Sequence, residues 1–504
     1  MVSNTILWTA LISFTAVMVL VGWLGMRKTR STMDDYVLGG RLLGPIAGFF
    51  TVTATLFSAF SYFGVTGWFY SDGIGAWHQV SGTVILGFFI YFAGTRIWTL
   101  GRRYGFINVS DYLTDRYASR LTGMLGGLVM IGALVPYIGA QFRGAGITLN
   151  AMSGDQIPFW IGALFLAVVV VAYVMAGGFR SVVWTDVIQG VIMYVVLIAG
   201  MFIIVRSTAG SFGSLMTQVE AQDPTLLSTP GPNGTFAFPY VLSIILIFSM
   251  ADFVIPQLHQ RWLAAKSHNS LKKIAIFLAV GTMIVYICNF YIAMAGRVHF
   301  PDLENAEQVY PLLIAEFLPA GLLLLAVIGI LAATATTANS TILTIGSMVA
   351  NDYWQPLRAR RGKTGEANLA TITRLMLPAV VIASLAVTFW GPPQIVGLIV
   401  DITWPAALMV FPAVMGGLYW RRATVAGAMS SILVGIVLLL LLSSGALPIP
   451  LGGWAPGIPS VIVATVTFVV VSLLTKPVPA ATVQRHFAPF ERLEMRRRRV
   501  TSSA

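Results

Sequence analysis

Residues 46–70 read IAGFFTVTATLFSAFSYFGVTGWFY, and the reading of this stretch decides the fold. It is long and apolar enough to cross the roughly 30 Å hydrocarbon core of a bilayer as a helix rising about 1.5 Å per residue. Yet it carries Thr51, Thr53, Thr55, Ser58 and Ser61, followed by Gly64 and Gly67. A helix interrupted at membrane depth exposes backbone carbonyls, which is tolerated only where the backbone is buried in protein or lines a cavity. Five spans later, 237–256 holds Ser249, Asp252 and Pro256, so a second interrupted helix is expected in the corresponding position. Two broken helices five spans apart predict two inverted repeats of five helices each, 46–205 and 237–418, with a solute site between them at the midplane. Any single hydroxyl in the stripe can instead bond its own helix carbonyls or a neighbouring helix; the argument rests on the whole stripe.

Working outward, thirteen apolar segments can be marked near 5–26, 46–70, 77–95, 122–150, 158–177, 183–205, 237–256, 275–296, 311–342, 371–390, 394–418, 424–444 and 458–475. The expected fold is an all-α integral membrane protein of thirteen transmembrane helices and one transporter domain, residues 1–504. It has an extra helix at 5–26, extra helices within 424–475 and a cytoplasmic tail at 476–504. The chain is 57% hydrophobic and 10% charged, too apolar for an ordinary soluble domain. The first segment has no basic leader and is followed by Arg27-Lys28-Thr29-Arg30, so it reads as a retained span rather than a cleaved signal.

A net charge of +12 raises the question of a nucleic-acid partner, and the placement of the charges answers it. With the N-terminus outside, all 31 Lys and Arg except Arg143, Arg206 and Arg297 fall on same-side loops. That is the positive-inside pattern, which puts the C-terminus in the cytoplasm and the protein in the cell membrane as a multi-pass chain. The expected partners are the lipid bilayer and a small organic solute, not nucleic acid; a monomer suffices for transport, and the sequence does not fix the oligomeric state. The run Arg496-Arg497-Arg498-Arg499 reads as a topology anchor, with anionic lipid as its alternative partner. The single cysteine, Cys288, lies in a predicted span, which excludes a disulfide framework and a thiolate metal site, and the five histidines lack metal-ligand spacing, which gives zinc chemistry little support. Gly362-Lys363-Thr364 resembles the end of a phosphate loop, but position 357 is Leu and no strand precedes it, so ATP hydrolysis is rejected and the chain is not read as an enzyme.

The sharpest polar constellation is Leu331-Ala-Ala-Thr-Ala-Thr-Thr-Ala-Asn-Ser-Thr341, small and hydroxylated residues inside a Leu- and Ile-rich span. Sodium is a hard cation that takes several oxygens, and carbonyls with neutral hydroxyls hold it while allowing release. Thr336 and Thr337 offer hydroxyls, and carbonyls near Ala333, Ala54 and Phe57 can complete a shell. Small-residue runs also serve helix packing. Charged residues at membrane depth cost about 2.5–3.5 kcal/mol on insertion scales, which singles out Arg143, Asp252 and Asp401. Arg143 can hold a carboxylate with its planar fork, or pair with Asp252 or Asp401. The aspartates can alternatively carry protons. Gln141 and Ser58 join these three as candidate solute contacts.

The segment Gly177-Gly178-Phe-Arg-Ser-Val-Val-Trp184-Thr185-Asp186-Val-Ile-Gln189 resembles the signature of the sodium/solute symporter family. So do Tyr36-Val-Leu-Gly39-Gly40-Arg41-Leu-Leu-Gly44 and the Leu331–Thr337 run, and the likeness covers essentially the whole chain. It implies the broken-helix inverted-repeat fold and sodium as coupling ion. The implied sodium site uses the Ala54 and Phe57 carbonyls with Ala333, Thr336 and Thr337. Asp186 matches the family's inner carboxylate near the ion exit, with helix capping as its bland alternative. Proline carriers of the family have an aspartate two positions after the sodium-site alanine where this chain has Leu56, which disfavours proline. The polar solute positions of the sugar carriers are not reproduced. Val135–Gln141 and Phe411–Thr424 look closest to the monocarboxylate and pantothenate branch.

The expected function is therefore secondary active symport, with inward sodium flow driving uptake of a small organic solute, by this resemblance a monocarboxylate. Pantothenate or another carboxylate, a proton-coupled carrier using Asp252 or Asp401, and a non-transporting membrane sensor stand as alternatives in that order.

Overall fold

A computed structural model describes residues 3–28, 32–360 and 369–502. Gly362-Lys363-Thr364, with Thr29 and Arg30 of the first basic run, lies outside the described residues, as do the side chains of Arg496–Arg499. Among the described residues there is no β-strand; one isolated parallel bridge joins Leu43 to Ala265. The helices that position the site are α1 (Asn4–Lys28), α2 (Pro45–Leu56), α3 (Val65–Asp72), α4 (His78–Phe89), α5 (Arg120–Ser153), α6 (Phe159–Ala209), α7 (Phe238–Val254), α8 (Pro256–Ala264), α9 (His268–His299), α10 (Ala320–Met348), α11 (Leu369–Trp390) and α12 (Trp404–Leu408). Phe411–Tyr419, Val425–Ser443, Gly457–Leu474 and the tail helix Ala480–Ser502 follow.

Ten helices among the described residues are long and apolar enough to cross a membrane, eleven if the bent pair α7–α8 counts as one span. The difference from thirteen segments lies mainly in continuity. The predicted spans 158–177 and 183–205 form one 51-residue run, α6, which changes direction at Gly178 (φ 60°, ψ −157°). That backbone region is open to glycine almost alone, and a Cβ at 178 would meet the Tyr36 ring at 2.6 Å. The predicted span 311–342 is corrected in the other sense. A short helix, Val309–Phe317, ends before Leu318 and Pro319, both extended, and α10 starts only at Ala320. Pro319 has no amide hydrogen to continue the first helix, and it disfavours helical backbone at Leu318.

Both expected interruptions are present. α2 opens with Pro45 at its first turn, where the missing amide costs nothing, and stops at Leu56. Phe57 (φ −83°, ψ 89°) leaves the helix, and a π-turn at Phe60–Gly64 leads into α3. In the second half, α7 ends at Val254, Ile255 is extended (ψ 132°), and α8 restarts on Pro256 at an angle of 55°. The loop before α2 is tied to the end of α8, the Leu43 amide donating to the Ala264 carbonyl and the Lys266 amide to the Leu43 carbonyl, at 3.0 and 2.8 Å. The two broken helices thus share a backbone strap. The tail helix is held to the body by His486 on Asp115 (2.7 Å) and by the Tyr104 hydroxyl on the Arg485 carbonyl (2.7 Å).

The loop assignment of three basic residues needs correction. Arg41, Arg116 and Arg261 are buried, not on solvated loops. Arg116 donates to the Gly417 and Trp420 carbonyls at 2.7 and 3.0 Å, and Arg41 donates to those of Gly101 and Phe106 at 3.2 and 2.9 Å. Each uses its fork of donors to satisfy carbonyls at helix ends, where cations are favoured.

Candidate ion and solute site at the broken helices

The interruption of α2 frees backbone carbonyls. The Ala59 amide, which a continuous helix would direct back to Thr55, donates instead to Gln141 Oε1 on α5 at 2.9 Å. Gln141 in turn donates to the Tyr137 carbonyl at 3.0 Å. This side chain therefore braces the break from the facing helix rather than projecting freely toward a solute.

The freed carbonyls are met by α10. Thr336 Oγ1 donates to the Ala54 carbonyl at 2.6 Å and to the Ala333 carbonyl at 3.0 Å. Thr337 Oγ1 donates to the Thr55 carbonyl at 3.0 Å and reaches Ala54 at 3.4 Å. Ala54, Ala333, Thr336 and Thr337 thus form one buried oxygen cluster, and Phe57 sits at the helix end beside it, itself 3% exposed. Three carbonyls and two rotatable hydroxyls, with no formal charge among them, are the donor set a sodium ion takes. Small neighbours at Ala332, Ala335 and Ala338, all fully buried, let α10 approach α2 and α6 closely.

One helical turn earlier on α2, at Thr51, lies a second polar layer. Asp186, well inside the helix that resumes after Gly178, accepts hydrogen bonds from the Thr51 hydroxyl and from Arg261 Nη2 at 3.1 Å. The capping alternative for Asp186 is therefore excluded: it lies eight residues past the turn, beyond the first-turn amides a cap would serve. Arg261 on α8 also donates to the Thr51 carbonyl (3.0 Å), the Gln257 carbonyl (2.9 Å) and Ser340 Oγ (2.6 Å). Ser340 donates to the Thr336 carbonyl at 2.8 Å, so this layer connects directly to the oxygen cluster. Sequence reading missed Arg261 because its charge placed it in a loop. Its position five residues after the helix-restarting Pro256 was the available signal.

The remaining candidates divide. Ser58 is buried at the break, accepting from the Phe60 amide at 3.2 Å. Asp252, 1% exposed, lies three residues before the break in the second broken helix and accepts from Trp404 Nε1 of α12 at 2.7 Å. Arg143 points away from both. Its guanidinium donates to the Pro393 carbonyl at 2.7 Å and to the Thr388 carbonyl at the end of α11. Asp401 is exposed, in the π-turn Gly397–Thr403. Neither Arg143–Asp252 nor Arg143–Asp401 occurs among the ion pairs of the described residues. Sequence reading also missed Trp404, an aromatic residue inside an apolar span that gave no sign of an acidic partner.

The chain is similar over most of its length to known proteins. The model of the sodium:solute symporter family matches residues 36–435. The sodium/pantothenate symporter of Escherichia coli (strain K12) is 28% identical over 479 residues, 91% of this chain and 94% of its own. The high-affinity proline transporter PutP of Bacillus subtilis (strain 168) is 27% identical, covering 94% and 99%. Among solved structures, a Na+-coupled sialic acid symporter in a substrate-bound outward-open state superposes with a TM-score of 0.78 at 20% identity, over 94% of this chain and 98% of that one. At that identity the likeness speaks for the fold.

Proposed function

We propose, from the premise that this chain belongs to the sodium:solute symporter family, that it couples inward flow of Na+ to uptake of a small organic solute across the cell membrane. The observation that carries this reading is the meeting of the Ala54, Thr55 and Ala333 carbonyls with the Thr336 and Thr337 hydroxyls. Sodium entering the cluster replaces the hydroxyl hydrogen bonds with ion–oxygen contacts, the hydroxyls rotating to present lone pairs. Because Ala54 and Thr336 sit on different helices, the ion ties the first broken helix to α10. Asp186 receives the ion on the cytoplasmic side, where Arg261 holds it.

The repeats 46–205 and 237–418, thirteen crossings, an outer N-terminus and an inner C-terminus belong to the same proposal. One observation supports the repeat relation: each half contains a helix broken at membrane depth, at Phe57–Ala59 and at Ile255. The solute enters between these breaks. The monocarboxylate reading, with pantothenate beside it, came from the likeness of Val135–Gln141 and Phe411–Thr424 to that branch and suited Arg143 as a carboxylate partner, but that guanidinium is engaged by two backbone carbonyls. A carboxylate on the solute therefore does not settle its choice; Asp252 bears on it more directly.

The test is uptake into proteoliposomes of labelled pyruvate, lactate, pantothenate, proline and glycine betaine under an imposed Na+ gradient or an imposed H+ gradient. Accumulation driven by Na+ is expected. Accumulation driven equally well by H+ in the absence of Na+ would overturn sodium coupling and return the role to a protonated aspartate.

A further inference from the structure

Asp252 is a buried acid at the solute site with no ion-pair partner among the described residues. Its Oδ1 accepts from Trp404 Nε1, and its Oδ2 accepts no hydrogen bond from any described side chain. The surroundings are aromatic. The Phe248 ring, one turn earlier on α7, lies 5.3 Å from that of Trp404 and 5.6 Å from that of Phe60. Tyr137 packs edge-on against Trp404 at 4.9 Å. Tyr137 and Tyr286 stand within electrostatic reach of the Asp252 carboxylate.

An ionised carboxylate in such a place is costly unless a positive charge meets it. Three cations qualify in principle. Sodium prefers a shell of oxygens, and here one carboxylate faces rings. A proton on Oδ2 would make an O–H donor that needs an acceptor in turn. A weakly hydrated organic ammonium satisfies both halves of the site: the carboxylate takes the charge, and the ring faces take the methyl or methylene groups around the nitrogen, as in aromatic cages. We infer that the solute carries an ammonium nitrogen, quaternary or protonated, that docks on Asp252 between Trp404, Tyr137, Phe60 and Phe248. A carboxylate elsewhere on the solute is compatible with this, since a zwitterion brings no net charge into the membrane. The inference rests on the symport reading in taking the breaks as the solute site.

The experiment uses matched pairs differing only in a charged nitrogen or a carbon: glycine betaine and 3,3-dimethylbutyrate, choline and 3,3-dimethylbutanol, proline and cyclopentanecarboxylate. Binding to the purified full chain is measured by calorimetry in Na+, and transport by uptake under a Na+ gradient. In at least one pair the nitrogen member is expected to bind about tenfold or more tightly than its isostere. Asp252→Asn is expected to abolish that preference, and Asp252→Glu, which keeps the charge, to retain it should the first variant fold poorly. Isosteres that bind equally in every pair, or failure of every nitrogen probe to bind, would overturn the inference. Na+-driven uptake of an amine-free carboxylate in that event leaves symport standing. Binding of the nitrogen probes without Na+-driven uptake would instead refute symport and leave the ammonium site intact.

Discussion

Arg261 Nη2 stands 3.1 Å from Asp186 Oδ2, and solvent reaches neither side chain. The pair is not isolated. The guanidinium also binds Thr51 on α2, Gln257 on its own helix and Ser340 on α10, so a single side chain ties four elements together beside the oxygen cluster. Separating α2 from α10 requires these bonds to part. The cost of separating buried charges makes the arrangement two-state: closed with every bond made, or open with water replacing them.

Removing one member of this pair is expected to be worse than removing both. Arg261→Met leaves the Asp186 charge buried with only the Thr51 hydroxyl to meet it, at a cost of about 3–5 kcal/mol, whereas Arg261→Met with Asp186→Leu is expected to recover much of it. Thermal unfolding of the two single variants and the double variant in detergent reads the coupling. Additive losses would show that the pair does not act as a unit.

The oxygen cluster makes a separate prediction. Thr337→Ala deletes a hydroxyl that donates to the Thr55 carbonyl but keeps a small, helix-favouring residue at the position. Half-saturating Na+ is expected to rise about tenfold, the worth of one such oxygen, while the melting temperature without Na+ stays within a few degrees. The readout is Na+-dependent stabilisation against heat. An unchanged Na+ midpoint would remove Thr337 from the site.

Much of this was legible because membranes restrict backbone chemistry. The polar stripe at 51–61 and Pro256 marked both breaks, since only an interrupted helix has a use for free hydroxyls or a mid-span proline at that depth. Gly177-Gly178 marked the turn in α6. Illegible features were those set by side-chain direction. Gln141 and Arg143 are two residues apart on one helix and therefore face about 200° apart. One braces the break of α2 and the other the end of α11, so treating them as one solute-binding group failed. Arg261 was hidden because hydropathy counts a charge as solvated, and only the carbonyls and carboxylate gathered round it in the fold show otherwise.

Gly178 supplies a backbone prediction. Its φ of 60° with ψ of −157° excludes a side chain, and a Cβ there would also lie 2.8 Å from the Tyr36 carbonyl oxygen, a backbone atom that cannot swing aside. Gly178→Ala is expected to cost at least about 1–3 kcal/mol from strain alone. Gly200→Ala, in the same helix with nothing within 4 Å of its Cβ position, is expected to be neutral or to stabilise by up to about 1 kcal/mol. Comparable melting temperatures for the two variants would contradict the turn at 178.

Glu307 makes stability depend on pH from outside the membrane spans. It lies between α9 and α10, outside both membrane-spanning helices, with Oε1 accepting from the Ile395 and Val396 amides at 2.8 and 3.2 Å. Its Oε2 is buried without a partner. Burial raises its pKa from 4.5 to about 7, against the opposing pull of the two amides and of Arg143. Between these values the folded chain binds a proton that the unfolded chain has released, so stability falls as pH rises from about 4.5 to about 7 and is flat beyond. A shift of this size corresponds to roughly 3 kcal/mol for the single group. Melting temperature is therefore expected to fall across that window in the native chain. In Glu307→Gln, which keeps an acceptor oxygen but cannot ionise, the fall is expected to shrink. An identical pH profile in the two proteins would assign the dependence to another group.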